Sequence, residues 1–280
     1  MRSNMYSIYT LWQDLSNKKN YFKSNSSLID FPFNRNMFSY SRRGKGFPTF
    51  SIKLNGDKSE LTGGELIKLK TRNRYSISPF KSSIPVGKIK VKTIVGDPRK
   101  SKIRRQMEKT GDDVFSLEER DVYYLVRGQK KGKQKICLVH GSFFETISTK
   151  DLISQSFGQV LDEKLAGTNV SDELKEQLRA IFSEQEDFSR VRNVNKASVK
   201  LRFRILTEVK PEGNILDSKQ YPEIVDDSIN FLVPYYSEDE KADALEKMKI
   251  VMGKDAMKKF KTFSLKHPLN GWFVVFQANL

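Results

Sequence analysis

Cysteine and histidine are nearly missing from this sequence: its 280 residues include one cysteine, Cys137, and two histidines, His140 and His267. One cysteine excludes an internal disulfide and any thiolate-rich zinc site, and two histidines exclude a His-rich metal centre. Long apolar runs are missing too. The longest are Val122 to Val126 and Trp272 to Phe276, far short of the ~20 residues that span a bilayer. The first twelve residues hold one Arg and no long apolar core before a small-residue cleavage site, so no signal peptide is expected there. Any chemistry is left to carboxylates, lysines and hydroxyls.

Basic charge is abundant. Fifty Lys and Arg face 34 Asp and Glu, a net charge of +16. The excess is confined to one half. Residues 1–140 hold 30 basic and 12 acidic side chains, whereas residues 141–280 hold 20 and 22. A one-sided basic surface suits a polyanion, nucleic acid above all, because phosphate neutralisation supplies affinity independent of base sequence. No stretch reads as a basic amphipathic helix, so a membrane surface is not the expected partner. With 38% hydrophobic and 11% aromatic residues the chain can bury a core. Its length suggests about two domains or one large one.

Residues 1–45 are rich in Asn, Ser and aromatics and read as an irregular arm. Phe50–Leu54 alternates with period two and leads into the turn signal Asn55-Gly56-Asp57; with a second strand over 65–70 it predicts a hairpin. Residues 73–87 read as a loop, 88–95 as a strand and 98–109 as a short basic helix. Asp121–Arg127 and Lys135–His140 read as central strands joined by a polar Gly/Lys turn. Helices are expected from Ser148 to about Gly167, after Ser171, and from the capping box Ser237-Glu-Asp-Glu240 to about Met252. Strands are expected at 199–209 and 271–277. The mixture predicts an α/β fold, with a basic half at 1–147 and a helix-and-strand half at 148–280 packed on the same core.

The most informative stretch runs from Asp57 to Pro85, DKSELTGGELIKLKTRNRYSISPFKSSIP. It sets a carboxylate after a hairpin turn, then Gly63-Gly64, then a strand ending in lysine. Divalent-metal nucleases use such a set: carboxylates hold Mg²⁺ against the scissile phosphate, and a lysine orients the attacking water. Gly63-Gly64-Glu65-Leu66-Ile67 with Leu69-Lys70, followed by Ser82-Ser83-Ile84-Pro85, resembles the PD-(D/E)xK type II restriction endonucleases over about a tenth of the chain. The resemblance implies a mixed central sheet flanked by helices, and a homodimer acting with Mg²⁺ on palindromic double-stranded DNA. It also implies a cytoplasmic, bacterial setting. Asp57 would be a metal ligand and Lys70 the catalytic lysine.

The family pattern has a glutamate two residues before that lysine, where this chain has Lys68. Side chains alternate along a strand, so Lys68 and Lys70 share one face while Glu65, Ile67 and Leu69 share the other. Three accounts are open. A bulge could turn Glu65 toward the metal. A carboxylate from Glu60, Glu118 or Asp121 could replace the missing one. Or the chain is an inactivated form that still binds DNA. Lys81, where the family tends to have Asn, is a second departure.

Arg72, Arg74 and Lys81 are placed to reach backbone phosphates, as are Ser82 and Ser83 in the loop and Lys100, Lys102, Arg104 and Arg105 on the short helix. Arg190, Arg192, Asn193 and Asn195 supply the side-chain types that read base edges. His140 reads as a strand-end residue and Cys137 as a small buried hydrophobe. Two other functions compete with the endonuclease: a non-catalytic DNA-binding protein, and an RNA-associated basic protein.

Overall fold

The computed structural model describes residues 38–40, 47–53, 64–77, 79–81, 85–95, 102–144, 149–183, 206–252 and 257–280. Contacts divide the chain into two units. One takes in Met1–Ser78, Gly87–Phe144 and Val209–Leu280; the other takes in Pro79–Val86 and Glu145–Glu208. Residues 209–280 return to the first unit.

The first unit is built on a large mixed sheet. Its strands are β1 (Phe38–Tyr40), β2 (Phe50–Ile52), β3 (Leu66–Arg72), β6 (Glu119–Lys130), β7 (Lys133–His140), β9 (Ser228–Tyr235), β11 (Gly271–Asn279) and β10 (Lys261–His267), in that spatial order. A short strand, β5 (Lys88–Lys90), pairs with the start of β6. The neighbours β3·β6 and β7·β9 are parallel and the other pairs antiparallel. The hairpin β6–β7 turns through Lys131 and Gly132, both with positive φ (51° and 79°), the backbone that a two-residue hairpin loop requires. That turn sets the register Tyr123↔His140 through Lys130↔Lys133.

One side of the sheet carries Ile52, Ile67, Tyr123, Leu138, Ile229, Phe231, Val274 and Phe276. Met248, Ala244 and Leu245 of α5 (Glu238–Met252) pack against them. α5 begins as the capping residues predict: Ser237 Oγ accepts from the Glu240 N–H (3.2 Å), and the Glu240 carboxylate accepts from the Tyr236 N–H (2.7 Å). On the other side Phe143 touches both Tyr221 and Phe273, and Leu216 comes up against Gly128. Gly128 admits this packing because a Cβ there would fall 2.7 Å from Leu216 Cδ1 and 2.8 Å from the Arg74 carbonyl oxygen. Toward the β1 edge, α2 (Lys102–Lys109) buries Ile103 and Met107 with Val91 and Val114, and Ser39 Oγ meets Thr110 Oγ1 at 3.3 Å.

The strand expected over 88–95 stops at Lys90, and Val91–Val95 forms a helix, α1. The ladder with β6 ends at Lys90↔Glu119, and Val91 turns instead into the apolar group with Ile103 and Met107. β9 and β10 had no clear sequence signal. β9 is buried on both faces along nearly its whole length, which erases the alternation that would have marked it. Pro234 is tolerated in β9 because pairing with β7 stops at Val139↔Leu232.

In the second unit β4 (Phe80–Lys81) pairs with β8 (Leu206–Thr207). The strand expected at 199–209 is seen only as β8, its earlier residues lying outside the described ones. α3 (Thr149–Leu165) and α4 (Asp172–Ser183) form an antiparallel hairpin. Ser171 Oγ caps α4 by accepting from the Leu174 N–H. No helix among the described residues is long and apolar enough to cross a membrane.

Candidate nucleic-acid interface

β3 carries the stretch that resembles a nuclease strand. On one edge it pairs in parallel with β6, in one-to-one register from Leu66↔Val122 to Arg72↔Gly128. On its other edge β2 covers only the first residues, Phe50↔Ile67 and Ser51↔Leu66. Thr49 extends the support: its N–H donates to the Ile67 carbonyl (2.8 Å), and its Oγ1 accepts from the Leu69 N–H (3.2 Å).

Alternation along this ladder puts Leu66, Lys68, Lys70 and Arg72 on one side and Ile67, Leu69 and Thr71 on the other. Lys70 is buried at 8% exposure, Lys68 is half-buried, and Arg72 is exposed. Burial holds the Lys68 ammonium below the usual lysine pKa. Arg72 and Arg74, with Thr71 and Asn73, line an open cleft of about 460 Å³ at the end of β3.

Three parts of the expected metal site come out differently. First, no bulge interrupts Leu66–Arg72, and the Glu65 carbonyl continues the ladder by accepting from the Ile52 N–H (2.9 Å). Glu65 therefore stays on the side away from Lys68 and Lys70, buried at 1% exposure; burial first, and the Glu65 charge second, push the Tyr123 phenol well above its ordinary pKa. Second, Asp121 also stands on that other side. Its Oδ1 lies 3.6 Å from His140 Nε2, and the neighbouring His140 side chain is the main cause of its lowered pKa. Third, Glu118 is an exposed residue ahead of β6. Asp57 and Glu60 lie outside the described residues. Among the described residues no group of three or more His, Cys, Asp or Glu could hold a metal ion. The described side chains on the Lys68 side do not fit Mg²⁺, since two ammonium groups stand where hard anionic oxygens are needed.

The expected phosphate contacts fall in several places. Arg104 donates to Glu108 Oε1 (2.7 Å) and lies 4.9 Å from the centre of the Phe115 ring, so part of its charge is already engaged on α2. Arg105 is exposed on the same helix, and Lys102 opens it. Lys81 belongs to the second unit, in β4. Ser82, Ser83, Lys100 and the 189–196 stretch are outside the described residues.

Sequence reasoning left two polar groups unassigned. The first gathers around His140, whose Nδ1 lies 2.8 Å from Ser142 Oγ and accepts from the Ser142 N–H (3.4 Å), leaving the Nε2 proton toward Asp121. The Tyr123 ring meets the imidazole edge-on, with centroids 5.1 Å apart. The Lys131-Gly132 turn was the usable signal, because a two-residue loop there already pairs Tyr123 with His140. The second is the buried bidentate pair of Arg120 with Asp112 (3.0 and 2.9 Å), which nothing in the local sequence announces.

No protein-family model, no curated protein and no solved structure matches the chain.

Proposed function

We propose that this chain is a sequence-specific DNA-binding protein of the restriction-endonuclease class, present in a form that holds double-stranded DNA without cutting it. In this reading the β2–β3 hairpin and parallel β6 are the restriction-endonuclease-like core. The protein works as a homodimer in a bacterial cytoplasm, and Mg²⁺-dependent hydrolysis needs a carboxylate at position 68. The observation that carries the reading is the row Lys68, Lys70 and Arg72 on one side of β3, within the half of the chain that holds its whole basic excess. Residues at alternate strand positions are about 6.6 Å apart, so the buried Lys70 and half-buried Lys68 lend positive charge behind Arg72, which reaches solvent where a phosphate backbone can pass. Arg72 and Arg74, both exposed, extend that row past the end of the strand.

The test is binding and cleavage of mixed-sequence duplex DNA by the chain as it stands and by Lys68→Glu, each with Mg²⁺. The expected result is retention of one duplex sequence by both, with cleavage only by Lys68→Glu. Binding of one sequence with neither protein cutting would favour a non-catalytic DNA-binding protein; the position of Glu65 and Asp121 on the opposite side of β3 and β6 supports that second reading. Preference for RNA over duplex DNA would defeat both.

A further inference from the structure

The β6–β7 hairpin ends in a concentrated run of positive charge. Residues 127–135, RGQKKGKQK, hold five basic side chains, two glutamines and no acid. The last two rungs, Gln129↔Gln134 and Lys130↔Lys133, reach past both neighbouring strands, since β3 stops pairing at Gly128 and β9 at Lys135. Lys130, Lys131, Gly132 and Lys133 are all exposed. Among the described residues nothing would come within 4 Å of a Cβ added at Gly132. The root of the hairpin is fastened. The Asp227 N–H donates to the Gln134 carbonyl (2.6 Å), and the Gln134 N–H donates to Asp227 Oδ1 (2.9 Å).

Two features of the tip run against stability. Lys131 takes a φ of 51°, a conformation that hairpin turns usually give to Asn, Asp or Gly. Lys130 and Lys133 stand directly opposite each other, where like charges repel. Among the described residues only Lys133 of these three has a carboxylate in reach, Asp226 at 3.5 Å. The Lys130 ammonium instead lies 5.9 Å from the centre of the Tyr75 ring. An anion from outside the chain would relieve this repulsion.

Alternation puts Gln129 and Gln134 on the opposite side of the ribbon from Lys130 and Lys133. Arg127 shares that side and donates to both amide oxygens, to Gln134 at 3.4 Å and to Gln129 at 3.5 Å, which holds the two carboxamides together. The tip also lies at the same end of the sheet as Arg72 and Arg74, because β3 runs parallel to β6 with Arg72 level with Gly128.

We propose that this tip enters the major groove of duplex DNA, with Lys130, Lys131 and Lys133 on backbone phosphates and Gln129 and Gln134 at base edges. The major groove of B-DNA, ~12 Å wide and ~8.5 Å deep, admits a two-stranded ribbon. The deep, narrow major groove of A-form RNA does not let side chains in, which selects DNA as the partner. Lysines on phosphates position the chain, while carboxamides are among the groups that discriminate bases. The inference rests on the duplex binding proposed above and adds the element that reads the groove.

The experiment measures binding of the full chain to mixed-sequence duplex DNA, and to the sequence it retains from that pool, across a salt series. Beside it stand Lys131→Asn and the double variant Gln129→Ala, Gln134→Ala. Lys131→Asn should weaken both duplexes alike and reduce the slope of log K against log salt by about 0.9. Its melting temperature should equal or exceed that of the wild type, because Asn suits the left-handed turn position. A merely structural lysine would move affinity and stability in the same direction. The glutamine variant should keep the slope and lose preference for the retained sequence. The wild-type chain should also protect guanine N7 in the major groove from dimethyl sulfate. Duplex binding with an unchanged slope in Lys131→Asn, unchanged preference in the glutamine variant, or no N7 protection would overturn the hairpin proposal and leave the function above standing. Absence of duplex binding by the wild-type chain would overturn both. If the glutamine variant fails to fold, the Lys131→Asn slope and N7 protection decide alone.

Discussion

Lys68 and Lys70 stand two positions apart on one side of β3, level with Tyr124 and Val126 of β6, and Arg72 continues the same row into solvent. Arg72→Ala and Arg74→Ala are each expected to weaken duplex binding about equally across sequences. Each lost phosphate contact should reduce the slope of log K against log salt by about 0.9. Filter-binding titrations at several salt concentrations measure this; a slope unchanged in both variants would remove these arginines from the interface.

Asp112 and Arg120 form an ion pair at 1% and 0% side-chain exposure, so removing one partner strands a charge in the core. Asp112→Ala is expected to cost ~3–5 kcal/mol, and the double change Asp112→Leu, Arg120→Met much less. Urea denaturation of the wild type and the two variants reads the difference. Equal losses for the single and double changes would contradict it.

His267 is expected to make stability acid-sensitive. Its Nδ1 accepts from the N–H groups of Leu269 (3.1 Å) and Asn270 (3.0 Å), and burial lowers its pKa below 6.5. The unfolded chain then binds the proton more readily than the native one. Stability from this site is therefore full above pH 6.5 and falls as pH drops through 6.5 toward the depressed native value. His267→Gln should flatten that part of the curve in urea midpoints taken between about pH 7.5 and about pH 5.5.

Cys137 is fully buried and its thiol is pushed up to about 12 by desolvation. Native protein should resist thiol reagents, with labelling appearing only as urea unfolds the sheet. Rapid stoichiometric labelling without denaturant would show that β7 opens locally.

Gly128→Ala should destabilise by ~1–3 kcal/mol, because the added methyl meets Leu216 and the Arg74 carbonyl with no room to move. A thermal melt within error of wild type would mean that residues 209–227 can shift outward.

What was legible in the sequence was local. Period-two alternation showed β2, a short strand opened by Gly63-Gly64 was β3, near-continuous apolar runs showed β6 and β7, and capping residues showed the starts of α4 and α5. The same alternation put Lys68 and Lys70 on one side and Glu65 on the other before any neighbour was known. β9 was hidden because a strand covered on both faces has no polar side to alternate with. The turn of Val91–Val95 into a helix was hidden because it depends on where β6 begins.

By itself the sequence determined the α/β mixture, the confinement of positive charge to residues 1–140 and the sharing of a strand face by Lys68 and Lys70, all of which follow from residue order and backbone geometry. Only the tertiary structure decided that no bulge turns Glu65 back toward those lysines, that Asp121 stands on the Glu65 side, and that Arg120 closes on Asp112. These depend on which strands become neighbours and in which register, and pairing between distant segments is not encoded in local periodicity.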